Sequence, residues 1–165
     1  MTKRGFSLIE LVMVMVIIGA LVMTAGPQLS NMPTGKAQFA VRQMQSDVRY
    51  AQLLAMETET RTRVVFSAST DSYQMERESS PGTWVSVTNP STKSAYTVTF
   101  NSGDYSAVDI TTVSLGGAST VIFNSYGAPF NASSAALTDS SYVELNSKYQ
   151  LRFRSDTGKV DIVTL

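Results

Sequence analysis

Glu10 is an acidic residue in surroundings that are otherwise almost entirely apolar. It lies in a segment from Phe6 to Gly26 whose only other polar residues are Ser7 and Thr24. Insertion scales put an acidic side chain near the middle of a membrane helix at about 2.5–3.5 kcal/mol unfavourable. Two opposite charges in such a medium attract strongly, and each is costly without the other. The position of Glu10 is therefore costly, and the apolar segment by itself does not explain it.

The apolar segment around Glu10 has the length of a membrane-spanning helix. Its 21 residues, Phe6 to Gly26, would extend roughly 30 Å as an α-helix, which is the thickness of a hydrocarbon core. Lys3 and Arg4 precede the segment, and basic residues favour the cytoplasmic side. The sequence therefore predicts a single span, with the rest of the chain outside the cytoplasm.

Two ordinary interpretations of this segment are a secretory signal peptide and a plain membrane anchor. The charged start is present, and the small residues around Ala25 would suit a signal peptidase. Neither interpretation gives Glu10 a purpose, because the core of a signal or an anchor gains nothing from an acid.

The composition argues against catalysis. The chain has no Cys and no His, so it lacks thiolate chemistry and the commonest general base and metal ligand. Asp104, Asp109 and Asp139 are scattered along the sequence, and we predict no metal site and no cofactor. The 13 basic and 13 acidic side chains balance, which gives no general attraction to nucleic acid.

Residues 36–60 have the periodicity of an amphipathic helix. Apolar residues recur with a four-three spacing that forms one stripe: Ala37, Val41, Met44, Val48, Ala51 and Ala55. Phe39, Ala40 and Leu54 are predicted to widen the stripe, and Gln43, Gln45, Asp47, Arg49 and Gln52 to lie largely off it. Pro27 predicts a helix kink, and Pro33 with Gly35 predicts a stronger break.

After Thr60 the period changes to two, which is typical of β-strands. Predicted strands cover residues 62–68, 72–78, 83–87, 95–100, 108–115, 119–124, 141–145 and 149–163, with hairpin turns near Asp71 and at Asp156–Gly158. The expected fold class is α+β: a long N-terminal helix packed on a β-sheet head. The expected segments are 1–5, 6–26, 27–60 and 61–165.

The stretch "RGFSLIE" resembles the type IV prepilin signal, with a basic residue, Gly, Phe and Glu at fixed spacing before an apolar helix. The resemblance implies that residues 1–5 form a leader and that prepilin peptidase cleaves between Gly5 and Phe6. It also implies N-methylation of Phe6 by the same enzyme. Glu10 then becomes the fifth residue, and in this family the acid is thought to pair with the N-terminal amine of the adjacent subunit.

The head resembles the GspH/FimT group of minor pilins and pseudopilins. That group often has a glycine-containing turn after a strand ending in Phe-Asn, and a closing hairpin with a similar turn. Phe123, Asn124, Gly127, Gly158 and Lys159 occupy those places, although Arg is more common at Lys159. The absence of a Cys pair argues mildly against a major pilin.

The resemblance implies a minor pseudopilin of a type II secretion system, without enzymatic activity. Its partners would be other pilins or pseudopilins and an inner-membrane assembly platform, and its head would be periplasmic. The alternative is a FimT-like minor pilin of a type IV pilus. A secreted β-domain enzyme or binding module behind a signal peptide is a further alternative, which Glu10 disfavours.

Four basic residues near the C-terminus are candidates for DNA binding: Lys148, Arg152, Arg154 and Lys159. Tyr149 and Phe153 alternate with them and could stack on bases. The simpler interpretation is the outward half of an alternating strand, with Asp156 and Asp161 balancing the arginines. This interpretation disfavours nucleic acid as a partner. The single Trp, Trp84, is predicted to occupy a half-buried strand position.

Overall fold

The structure is a computed structural model that describes residues 8–29 and 33–165, and the exposure of side chains in residues 8–18 and 35–165. These residues form two units, the first containing helix α1 and the second beginning at Pro33. The predicted cleavage and methylation residues, Gly5 and Phe6, lie outside the described residues.

Helix α1 spans Leu8–Leu29 and carries Glu10 in its first turn. Every large apolar residue from Leu8 to Ile18 is between 48% and 81% exposed. Within the part of the chain that the structure describes, no helix is long and apolar enough to cross a membrane. The helix includes Pro27 and ends two residues later, and the kink at Pro27 stays a prediction.

Helix α2 spans Pro33–Thr58 and begins at a proline, which suits a first turn because its missing N–H has no intrahelical partner there. The predicted stripe is buried along its whole length, and each of its six residues is at most 1% exposed. Ala40 and Leu54 widen it, as expected. Phe39 does not: it is 64% exposed, because two residues turn a helix by about 200° away from Ala37.

The head contains two antiparallel sheets, counted over residues 33–165. The first has the order β3-β2-β1-β6-β7, with β4 also paired to β2, and the second has the order β10-β9-β8-β5. Their strands are β1 Thr62–Ser67, β2 Ser72–Ser80, β3 Thr83–Ser86, β4 Thr97–Thr99, β5 Ile110–Ser114, β6 Thr120–Phe123, β7 Pro129–Asn131, β8 Tyr142–Leu145, β9 Tyr149–Phe153 and β10 Val160–Thr164. A 3-10 turn covers Gly103–Tyr105. Every predicted strand region contains a strand, but β7 was not predicted.

Helix α2 contacts β1 and β6 of the first sheet and β9 and β10 of the second. Its buried stripe packs on apolar side chains that alternate along these strands, such as Val64 and Phe66 on β1 and Leu151 and Phe153 on β9. The predicted α+β class, with a helix packed on a β-sheet head, is therefore confirmed.

Both predicted hairpins form. The β1–β2 turn places Asp71 at φ 45°, and the β9–β10 turn places Gly158 at φ 64°. Asp71 also connects the two sheets, since its carboxylate accepts a hydrogen bond from the Ile110 amide of β5 at 2.9 Å. Its carbonyl accepts a further one from the Phe100 amide, just after β4, at 2.6 Å.

Candidate assembly site

The site predicted at Glu10 lies in the first turn of α1, among apolar side chains. Glu10 itself is exposed, and its neighbours Ile9 and Leu11 are 69% and 58% exposed. Among the described residues no salt bridge reaches it. Because a continuous exposed apolar surface of this extent is unstable in water, it marks a place for lipid or for other protein subunits.

The two glycines of the family resemblance meet at one residue of α2, Gln52. Its side-chain amide donates to the Gly127 carbonyl at 2.8 Å and to the Thr157 carbonyl at 3.3 Å. A Cβ on Gly158 would lie 2.5 Å from both Gln52 Nε2 and the Gly127 carbonyl oxygen. We call Gln52, Gly127 and Gly158 the glycine junction, which ties the β6–β7 turn and the closing hairpin to the helix.

Asn124 shapes the turn that brings Gly127 to the junction. Its side-chain oxygen accepts hydrogen bonds from the Tyr126 amide at 3.0 Å and the Ala128 amide at 2.9 Å. Gly127 then adopts φ 76°, a conformation that L-residues rarely take. The motif residues Asn124, Gly127 and Gly158 therefore have a structural role. The apolar pattern of α2 gave no sign of the role of Gln52, which lies off the predicted stripe.

Asp47 is buried, although the sequence pattern placed it off the stripe. It lies three residues after Met44 and seven after Ala40, so it shares their face of the helix and is only 3% exposed. Its carboxylate accepts hydrogen bonds from Tyr73 Oη at 2.5 Å, Tyr96 Oη at 2.9 Å and Gln43 Nε2 at 2.8 Å. These four residues form the Asp47 cluster.

The Asp47 cluster holds both tyrosines in the neutral form. Burial raises the pKa of Tyr73 well above its usual value, and the negative charge of Asp47 raises it further. Burial and Asp47 likewise raise the pKa of Tyr96. Each hydroxyl donates to the carboxylate, and a phenolate beside it would create repulsion between like charges.

This cluster predicts a loss of stability in alkali. The unfolded tyrosines lose their protons near pH 10, whereas the folded ones keep theirs, so above that pH the unfolded state binds fewer protons and the free energy of unfolding falls. We expect constant stability from pH 7 to about 9.5 and a steady decline above it. Urea titrations across this range would measure it.

Tyr73→Phe is the control for the alkaline effect. This variant removes one shifted group, so its stability should decline less steeply above pH 10 than that of the unaltered protein. Equal slopes for both proteins would contradict the assignment to Tyr73.

The surface of the first sheet that faces away from α2 carries two ion pairs beside Trp84. Arg63 Nε lies 2.5 Å from Glu76 Oε2, and Arg61 Nε lies 2.6 Å from Glu78 Oε2. The Arg63 guanidinium carbon sits 4.3 Å from the centre of the Trp84 ring, a cation–π distance. Hydrogen bonding to Arg61 lowers the pKa of Glu78. Trp84 is half-buried, as predicted.

The four basic residues predicted as candidates for DNA binding each contact other residues of the head. Arg154 pairs with Asp161 at 3.4 Å and with Asp139 at 3.9 Å, and Lys159 pairs with Asp161 at 3.0 Å. Arg152 donates to Gln150 at 2.9 Å, and Lys148 lies over the Tyr149 ring at 5.8 Å. Asp139 takes the balancing role that was predicted for Asp156, whose carboxylate instead accepts from Thr157. Hydrogen bonding to Lys159 lowers the pKa of Asp161.

The fold and the N-terminal segment together define a pilin-like protein, an apolar helix followed by a helix-on-sheet head. Residues 1–26 match a family model described as the prokaryotic N-terminal methylation motif. Residues 40–157 match a second one, described as type II transport protein GspH. Because this match covers most of the chain, the protein belongs to the GspH family.

Two solved structures of similar fold are of the minor pseudopilin EpsH from the type II secretion system of Vibrio cholerae. One has a TM-score of 0.56 at 10% identity and covers 78% of this chain and 96% of EpsH. The other has a TM-score of 0.56 at 11% identity and covers 79% and 94%. A comparison with curated protein sequences finds no match.

The family match confirms the predicted GspH-type family and the predicted role in a type II secretion system. The EpsH structures show that the fold is that of a minor pseudopilin. The pseudopilin family is structural and not enzymatic. The methylation motif further implies processing by prepilin peptidase and assembly with other pseudopilins.

Proposed function

We propose that α1 anchors the mature chain in the bacterial inner membrane and then carries it into a pseudopilus. The head, residues 61–165, would face the periplasm, and an inner-membrane assembly platform would move the subunit into the filament. The observation that carries this proposal is the helical segment from Leu8 to Ile18. All of its residues are exposed, and all of them except Glu10 are apolar. Such a face is stable in lipid or among the helices of other subunits.

The charge of Glu10 would favour movement of the subunit from the membrane into the filament. Prepilin peptidase would cleave after Gly5 and methylate Phe6, and this leaves a positive amine at the new N-terminus. In lipid the carboxylate has no cation among the described residues, whereas in the filament it would pair with the amine of the neighbouring subunit. The transition from an unpaired to a paired charge in a low-dielectric medium favours assembly.

The test is the incorporation of Glu10→Gln, which keeps the size of the side chain and removes its charge. We expect the fraction of the protein in sheared filaments to fall about tenfold or more, as a loss of about 1.4 kcal/mol per subunit would produce. Immunoblotting of the filament and membrane fractions would measure it.

Glu10→Asp is the matched control, because it keeps the charge and should retain most of the incorporation. The intact mass of both variants should match a chain that starts at methylated Phe6, which shows that processing is unaffected. Normal incorporation of Glu10→Gln would refute the pairing.

The alternative of a FimT-like minor pilin predicts a different phenotype. If the chain serves a type II secretion system, its deletion should impair the secretion of type II substrates. If it serves a type IV pilus, its deletion should impair pilus functions such as twitching or DNA uptake. Assaying both in one deletion strain separates the two systems.

A further inference from the structure

Strand β3, Thr83–Ser86, is an edge strand that the described residues leave unpaired on one side. Three other edges of the sheets are occupied. Phe130 of β7 forms a bridge with Ala136, the Val160 carbonyl of β10 accepts hydrogen bonds from Gln45 and Arg49, and the Ile110 amide of β5 donates to Asp71.

The backbone groups of β3 that point to the free side belong to Trp84 and Ser86. The Glu78 amide donates to the carbonyl of Arg61, the residue just before β1, at 2.8 Å, so the pair Glu78–Trp84 is not hydrogen-bonded. In an antiparallel ladder the amide and carbonyl of Trp84 then face away from β2, and those of Ser86 do the same two residues on. Free N–H and C=O groups at this spacing are the template for another strand.

Nothing in the β3 sequence blocks that template. The residues Thr-Trp-Val-Ser carry no charge and no proline, which are two of the usual means of protecting an edge. The register irregularity of this pair lies between Glu78 and Ser80, opposite the start of the strand, and leaves Trp84 to Ser86 in regular register.

A cavity of about 250 Å³ opens beside this edge, between β3 and α2. One wall is the continuous run from Val85 to Thr88, and the other is formed by Tyr50 and Leu54 of α2. Arg77 completes the lining and is exposed, with no salt bridge among the residues that the structure describes. Residues that face each other on adjacent strands share a sheet face, so a strand added beside Val85 would direct one side chain into this cavity.

We propose that β3 takes up an extended segment of a neighbouring filament subunit as an additional strand. The segment pairs through its backbone with Trp84 and Ser86, inserts an apolar side chain between Val85 and Leu54, and presents a carboxylate to Arg77. This is the strand-addition mode of recognition, in which the backbone supplies affinity and the cavity supplies specificity. The proposal rests on the filament function proposed above.

The size of the edge favours a filament neighbour over a free dimer. A stable interface buries about 800 Å² on each partner, far more than a strand of four residues provides. Within a filament, other contacts hold the partner close, and a small interface is populated because of the high effective concentration.

Site-specific labelling tests the proposal, because the full-length chain contains no Cys and any single Cys is unique. In Ser86→Cys, a polyethylene-glycol maleimide should react about fivefold more slowly in the sheared filament fraction than in detergent-extracted subunits. In the control Ser102→Cys, an exposed loop position, the two rates should agree. Equal rates at position 86 would overturn the proposal, and so would a disulfide-linked pair of two copies of this chain.

A second test needs no chemical label and compares two substitutions at Ser86, of which only one removes the backbone N–H. Ser86→Pro eliminates an outward N–H that no described residue uses, whereas Ser86→Ala retains it. We expect the proline variant alone to enter filaments about fivefold less. If both variants assemble equally, strand addition is wrong while the filament function stands. If the unaltered protein is absent from filaments, the filament function itself has failed.

Discussion

Asp47→Ala is expected to destabilise the head by about 3 kcal/mol or more. The substitution removes the acceptor for Tyr73, Tyr96 and Gln43, and it leaves two largely buried tyrosine hydroxyls without a partner. Each unsatisfied buried group costs about 1–3 kcal/mol. The full-length protein in detergent should show a thermal midpoint lower by about 10 °C, measured by near-ultraviolet circular dichroism of its tyrosines.

Asp47→Asn is the matched control for this prediction. The amide retains one acceptor oxygen, and its N–H groups can donate to a tyrosine hydroxyl, so the expected loss is less than half as large. A small and equal effect of the two substitutions would show that the cluster contributes little to stability.

Gly158→Ala is expected to destabilise the head by about 3 kcal/mol. The added Cβ would lie 2.5 Å from Gln52 Nε2 and from the Gly127 carbonyl, and the backbone at φ 64° disfavours any L-residue. One of these neighbours is backbone and cannot move aside alone. The closing hairpin must therefore shift from α2, and the hydrogen bonds from Gln52 lengthen. Urea-induced unfolding of the full-length protein in detergent would measure the loss.

Gly82→Ala separates the two causes. Gly82 has a similar conformation, φ 80°, but a Cβ there would meet no atom within 4 Å. Its loss should therefore be limited to the conformational term of about 1 kcal/mol. Equal losses at Gly82 and Gly158 would mean that the glycine junction imposes no steric requirement.

Local patterns in the sequence predicted most of the secondary structure. The four-three spacing of α2 identified six buried residues, and alternation located the strands on either side of the turns at Asp71 and Gly158. These predictions succeed because a period of 3.6 or 2 places a whole apolar set on one face. Strand β7 escaped detection because three residues, one of them proline, are too few to show a period.

The same patterns misplaced individual residues of α2. Phe39 was assigned to the packing face and Asp47 was not, although the structure exposes the first and buries the second. Residue type suggested both assignments, but their angular positions on the helix decide them. Asp47 is tolerated in the interior because Tyr73 and Tyr96 arrive from β2 and from the segment before β4 to donate hydrogen bonds.

The sequence by itself determined the class of protein, because the prepilin signal is a contiguous motif whose spacing is visible without a fold. It also determined the helix stripe and the strand order along the chain, since these depend on neighbours in sequence. Only the tertiary structure decided that Gln52 meets Gly127 and Gly158, that Asp47 meets two tyrosines, and that β3 remains an open edge. Those features join residues that are between 26 and 106 positions apart or depend on which strands pair, and no local period records such contacts.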